Sequence, residues 1–100
     1  MTYRVTYTRE FLQDIKRHND YLIGEGAGIE TVASWYAKVF ERLDSLNELP
    51  HRYPVDERQT DLNGCETRKL NYQGYLVYYK VDEDRRSVFL LKFKHGASRR

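Results

Sequence analysis

The chain has one cysteine, three scattered histidines and no long apolar run, and each of these shortages excludes a class of protein. Cys65 lacks a second thiol for an internal disulfide, and no segment is apolar over the length of a signal peptide or a membrane helix. His18, His51 and His95 have no close Cys or His companions, so metal-ligand spacing is absent. We therefore expect a soluble, cytoplasmic protein with no metal and no cofactor.

Glycine is also scarce, and three of the six glycines fall in the stretch Gly24-Glu25-Gly26-Ala27-Gly28. A phosphate-binding loop needs a preceding buried strand and a defined glycine spacing, and this stretch has neither. We interpret it as the end of one helix followed by a flexible connection.

The composition of the chain is typical of one globular domain, spanning residues 1–100. The chain is 40% hydrophobic and 32% charged, which is the range of folded proteins. Nine of its 100 residues are tyrosine. Because tyrosine buries its ring while its hydroxyl stays hydrated, this usage is frequent at interfaces and favours a partner protein.

The net charge of +2 conceals an uneven distribution. Residues 1–64 carry eight Lys and Arg against eleven Asp and Glu, whereas residues 65–100 carry nine against four. A basic half is compatible with a nucleic acid, an acidic protein partner or a solvated face.

The first part of the chain predicts a short strand and two helices. Tyr3 to Tyr7 alternates as a strand does, and Thr8 is placed to cap a helix that runs to about Gly24. A broad apolar stripe predicts a second helix from about Ile29 to Glu48, which completes a helical hairpin.

The segment Leu49-Pro50-His51-Arg52-Tyr53-Pro54 ends the second helix, because proline cannot continue the helical hydrogen-bond ladder. The polar stretch from there to Gly64 predicts a mobile loop.

The last third predicts three consecutive strands, separated by Gln73-Gly74 and by the charged turn from Asp82 to Arg86. The fold class is therefore α+β, with the order β-α-α-β-β-β: a four-stranded, mostly antiparallel sheet with the helical hairpin on one face. Strict alternation in the last strand places Phe89, Leu91 and Phe93 on one face and Val88, Leu90, Lys92 and Lys94 on the other. We expect the second face to become basic toward its C-terminal end and to be open to a partner.

The chain resembles toxins of the RelE/ParE superfamily. The resemblance covers nearly the whole chain and rests on the order of elements and on four motifs: Leu49-Pro50-x-x-Tyr53-Pro54, Arg68-x-Leu70, the run from Tyr75 to Asp82, and His95-Gly96-Ala97. It implies a toxin of a type II toxin–antitoxin system that is neutralised by a cognate antitoxin. RelE-like members cut messenger RNA in the ribosome, and ParE-like members poison DNA gyrase.

RNA cleavage through the 2′-hydroxyl needs a base, cations against the phosphate and an acid for the leaving oxygen. The resemblance implies that RelE-like enzymes carry an arginine where this chain has Leu76, and a leucine cannot stabilise phosphate charge. No tyrosine follows His95. If the protein is nevertheless a ribosome-dependent endoribonuclease, its catalytic residues are Arg68, Lys92 and His95.

The missing arginine and the His-Gly-Ala-x-Arg ending favour the ParE-like branch, in which no catalytic residues are expected. The target-binding residues are then Arg68, Lys92, Lys94, His95 and Arg99. Two of these have a structural alternative: His95 as a strand-end histidine bonded to backbone, and Arg68 as the partner of Asp82, Glu83 or Glu66.

An antitoxin tail is expected to place a helix on the hairpin or to add a strand to the sheet edge. The antitoxin-binding candidates on the hairpin are Leu22, Trp35 and Val39. Trp35 lies at the margin of the apolar stripe and has an alternative role in sealing the rim of the core.

Overall fold

The computed structural model describes residues 2–95, which form a mixed four-stranded sheet and three α-helices. The elements in chain order are β1 (Arg4–Tyr7), α1 (Arg9–Gly24), α2 (Ile29–Asp44), α3 (Glu57–Asn63), β2 (Arg68–Tyr72), β3 (Tyr75–Asp82) and β4 (Ser87–His95). The strand order is β1-β4-β3-β2, with β1 parallel to β4 and the other pairs antiparallel. The expected α+β fold with a mostly antiparallel sheet is confirmed.

Thr8 joins the sheet to the hairpin, as its position before α1 predicts. Its side-chain oxygen accepts a hydrogen bond from the Phe11 amide at 3.3 Å, and the hydroxyl donates to the Leu90 carbonyl at 2.6 Å. An N-cap of this type stabilises a helix by about 1 kcal/mol. The same residue therefore starts α1 and holds that start against β4.

The core lies between the hairpin and one face of the sheet. α1 and α2 bury an apolar stripe, and the three closing strands meet it with alternate residues. The buried set is Phe11, Val32, Tyr36, Val39, Leu43, Leu46, Leu70, Val77, Tyr79, Val88, Leu90 and Phe93. We call the opposite, helix-free side of the sheet the outer face. Within residues 2–95, no helix is both long enough and apolar enough to cross a bilayer.

The region after α2 is more ordered than the sequence predicts. α2 ends at Asp44 and not at Glu48, and single turns of 3-10 helix follow at Ser45–Asn47 and Pro50–Arg52. The expected loop also contains α3, which Asp56 caps through the Gln59 amide at 2.9 Å and Gly64 ends in a left-handed conformation. Asp56 and Gly64 are common cap residues, so the sequence carried a signal for this helix.

The segment from Leu49 to Pro54 is tied to the sheet and is not a free loop. The Tyr79 hydroxyl, inside the core, donates to the Pro50 carbonyl at 2.6 Å. Lys69 donates its amide to the Pro54 carbonyl at 2.9 Å. Burial raises the pKa of Tyr79 to about 12, so its hydroxyl stays protonated and available as a donor.

An extra residue in β4 changes which side chains reach the core. Tyr78 pairs with Lys92 and Tyr79 pairs with Leu90, which leaves Leu91 as a β-bulge. The prediction that Phe93 shares a face with Phe89 and Leu91 is therefore wrong, since Phe93 is 4% exposed and belongs to the core.

The bulge also places Lys92 and Lys94 on the opposite face of the sheet from Val88 and Leu90. Val88 and Leu90 are buried in the core, whereas Lys94 lies on the outer face with its Nζ 5.8 Å from the centre of the Tyr78 ring. The predicted sharing of one face by Val88, Leu90, Lys92 and Lys94 is wrong for this reason. The outer face does become basic toward the end of β4.

We expect Tyr79→Phe to lower the free energy of unfolding by about 1–2 kcal/mol, because it leaves the Pro50 carbonyl without its donor. Urea denaturation followed by circular dichroism measures the loss. Tyr21→Phe is the control, since Tyr21 is 60% exposed and its change should stay within about 0.5 kcal/mol. Equal stability of the two variants would show that the Tyr79 hydroxyl does not hold this segment.

Candidate functional site

The outer face carries cations from every strand. Its outward positions include Arg4, Lys69, Lys80, Lys92 and Lys94. Within the described strands, Asp82 is the one acidic residue at an outward position, and it lies 3.8 Å from the Arg85 Nε. Charge of one sign on an open sheet face attracts an anionic partner.

Two of the lysines lie over aromatic rings. Lys80 Nζ is 5.4 Å from the centre of the Phe89 ring, and Lys94 covers Tyr78. Cation–π contacts of this kind are worth about 0.5–1 kcal/mol at exposed sites. They hold the ammonium groups close to the sheet.

A groove on the outer face separates the start of α3 from the sheet. Its walls include Asp56, Arg58 and Gln59 on one side and Lys69, Asn71, Leu76, Tyr78, Lys94 and His95 on the other. Lys69 Nζ lies 3.6 Å from the Asp56 carboxylate. Leu76 therefore contributes an apolar side chain to a basic groove, where it can neither transfer a proton nor stabilise a developing charge.

Arg68 lies on the core side of β2, away from this groove. Its Nη1 donates to the carbonyls of His51 at 3.1 Å and Tyr53 at 2.7 Å, and its Nη2 lies 3.3 Å from the Glu66 carboxylate. The structural alternative for Arg68, an ion pair with Glu66, is present. With its side chain 15% exposed, Arg68 has little surface left for a target, and that role stays a prediction.

Lys92 and His95 both lie at the end of β4, but their side chains contact different residues. Lys92 Nζ is 3.5 Å from the Glu10 carboxylate at the start of α1. The His95 ring is on the side of the hairpin, 4.7 Å between centroids from Tyr75. Arg68, Lys92 and His95 are thus not brought together, and Arg99 lies outside the described residues.

His18 of α1 is a half-buried polar group that sequence reasoning missed. Its Nε2 is 3.1 Å from the Tyr75 hydroxyl, and its ring lies 6.4 Å from that of His95. Burial lowers the pKa of His18, and the nearby His95 lowers it further. The signal in the sequence was its helical spacing, three residues before Tyr21 and four after Asp14.

The three antitoxin candidates differ in what they can offer a partner. Val39 is 2% exposed in the core, whereas Leu22 and Trp35 are half-buried beside it. Trp35 donates from Nε1 to the Gln73 side chain at 3.3 Å and packs 4.7 Å from Tyr75, so it seals the rim of the core at the β2–β3 turn. Its exposed remainder keeps the antitoxin role open as a prediction.

Within residues 2–95, no group of three or more His, Cys, Asp or Glu side chains is arranged to hold a metal ion.

Comparison with known proteins identifies one family. Residues 5–100 match the family described as ParE toxin of type II toxin-antitoxin system, parDE. Among solved structures, the crystal structure of the toxin-antitoxin complex RelBE2 from Mycobacterium tuberculosis contains a similar chain, with a TM-score of 0.62 and 18% identity. The alignment covers 95% of this chain and 92% of that one, and at this identity the likeness extends to the fold alone. A search of curated proteins found no match.

We expect Arg68→Ala to lower the free energy of unfolding by about 2–3 kcal/mol, since it removes charge-assisted bonds to two carbonyls and a carboxylate. Lys94→Ala is the matched control and should cost no more than about 1 kcal/mol, the value of its contact with Tyr78. Thermal and urea denaturation measure both. If Arg68→Ala is as stable as Lys94→Ala, Arg68 is available for a target after all.

Proposed function

Because the chain belongs to the ParE toxin family of type II toxin–antitoxin systems, we propose that it inhibits DNA gyrase and thereby blocks replication. We also propose that it acts by binding its target and not by catalysis. The proposal of binding without catalysis rests on one observation: Arg68, Lys92 and His95, the groups that a nuclease would need, are not clustered.

RNA cleavage requires its acid, base and cations within hydrogen-bond reach of one phosphate. Arg68 is held by backbone carbonyls on the core side, His95 lies beside Tyr75, and Lys92 pairs with Glu10. The basic groove on the outer face has Lys94 and His95 in its wall beside Leu76, but neither Arg68 nor Lys92 lines it. This arrangement supports a binding surface and counts against the alternative, a ribosome-dependent endoribonuclease.

A binding surface needs charge on accessible side chains, and the end of β4 supplies it. Lys92 and Lys94 are partly exposed lysines on an open strand, beside the exposed His95. Positive charge at a rim steers an acidic partner and raises its association rate. Arg99, four residues beyond His95, adds to the basic character of this region in the sequence.

The protein is neutralised by an antitoxin, as membership of the family implies. The similar chain of known structure is itself part of a toxin–antitoxin complex. We place the antitoxin on the hairpin beside Leu22 and Trp35, whose half-buried side chains offer apolar surface next to the core. Val39 is buried, so it would not contact the antitoxin directly but would help to hold this binding surface in place.

The proposal is tested with purified protein in two assays: gyrase supercoiling, and translation of a defined message by ribosomes. We expect loss of supercoiling while the message stays intact. Lys94→Glu should weaken the inhibition about tenfold, because it reverses a charge in the contact, and Lys16→Glu on the exposed side of α1 should leave it unchanged. Cleavage of the message with no effect on gyrase would replace this proposal with the nuclease.

A further inference from the structure

We propose that the toxin holds its target in a trough between α1 and the free edge of β4, and that the trough accepts an acidic, extended segment of the target protein with an apolar side chain. We call it the α1–β4 trough; it is lined by Arg9, Asp14, Arg17 and Tyr21 of α1 and by residues 92–95. This inference rests on the proposed function, since it names what part of gyrase the chain would recognise.

The trough exists because β1 is shorter than β4. β1 pairs with β4 only between Ser87 and Leu90, so residues 91–95 of β4 have no strand beside them on that edge. α1 runs along the gap, and its Asp14 carboxylate accepts the Phe93 amide at 3.0 Å. Two depressions meet there and share the Asp14, Arg17, Phe93 and Lys94 side chains, which makes them one continuous trough.

One end of the trough is aromatic. It is formed by His18, Tyr21, Phe93 and His95. Tyr21 stacks on His18 with 6.1 Å between ring centroids, yet 60% of Tyr21 is exposed. A tyrosine held by a neighbouring ring and open to solvent is a frequent binding hot spot, and it fits an apolar side chain of a partner.

The trough is basic, and its acidic groups are already paired. Four cations, Arg9, Arg17, Lys92 and Lys94, stand against Glu10 and Asp14. Asp14 is bonded to Arg17 at 3.1 Å as well as to the Phe93 amide, and Glu10 lies 3.5 Å from Lys92. The uncompensated charge is therefore positive, which favours a segment that carries carboxylates.

A polypeptide fits this charge pattern better than a nucleic acid does. A nucleic acid would bring a phosphate at every nucleotide and set some of them against Glu10 and Asp14. A peptide can place carboxylates beside Arg9 and Lys94 and an apolar side chain beside Tyr21. The chain's own residues 96–100 are a poor occupant, since they include Arg99 and Arg100 and would add positive charge to a positive trough.

The experiment measures binding to a gyrase holoenzyme that the wild-type protein inhibits, with and without DNA. We expect Arg9→Glu and Tyr21→Ala each to weaken binding at least about fivefold, as loss of a rim charge and of a hot spot should. Each variant has a matched control outside the trough on the same helix: Lys16→Glu for the charge, and Leu12→Ala, at a side chain 48% exposed, for the apolar area. Both controls should bind within about twofold of the wild type.

Thermal melts establish that the four variants are folded, and three further results decide the inference. If the wild type inhibits gyrase but Arg9→Glu and Tyr21→Ala bind as well as the controls, the trough is not the contact. If the two variants instead lose affinity for duplex DNA alone, the occupant is a nucleic acid, and if they lose affinity for the antitoxin by the same factor, it is the antitoxin; either result overturns the proposal. A wild type that does not inhibit gyrase refutes the proposed function itself, whatever the variants do.

Discussion

One irregularity in β4 determines how the basic end of the sheet is built. Leu91 has no partner of its own in β3. Because of this single extra residue, Phe93 faces the core, as Val88 and Leu90 do. Without it, alternation would turn Phe93 outward and bring Lys92 and Lys94 under the hairpin. Burying two ammonium groups costs several kcal/mol each unless they are paired, so the bulge is what allows a basic strand end to follow an apolar strand.

The bulge also separates the basic groups at the end of β4 from one another. It directs Lys94 toward Tyr78 on the outer face, while His95 remains with Tyr75 and His18 beside the hairpin. Arg68 is separated from both because it anchors the segment that follows α2. The result is that Lys94 and His95 lie on opposite sides of one strand and Arg68 lies apart from both, which is the arrangement on which the proposed binding role rests.

Much of the fold could be predicted from residue patterns because it depends on local chemistry. Thr8 caps α1 through its own hydroxyl, and the apolar stripes of the two helices and the aromatic, β-branched runs of the three strands are local patterns. α3 was missed although Asp56 and Gly64 mark its ends, since its seven residues bury no side chain and so leave no apolar stripe.

The site was harder to predict because it depends on pairs that are distant in the sequence. A bulge is a property of two strands together, and nothing in β4 alone marks Leu91 as the extra residue. The trough likewise requires the Phe93 amide to meet Asp14, 79 residues earlier, and His18 to meet Tyr75. The residue pattern of the last strand identified the basic strand end, but only the packing shows that α1 forms the other wall.

The placement of Phe93 is the point on which this account depends, and nuclear Overhauser contacts of its ring test it directly. We expect contacts with the rings of Phe11 and Tyr75, whose centroids lie 6.1 and 5.5 Å away. Contacts of the Phe93 ring with Tyr78 and Phe89 instead would show that β4 pairs without a bulge and would contradict the account.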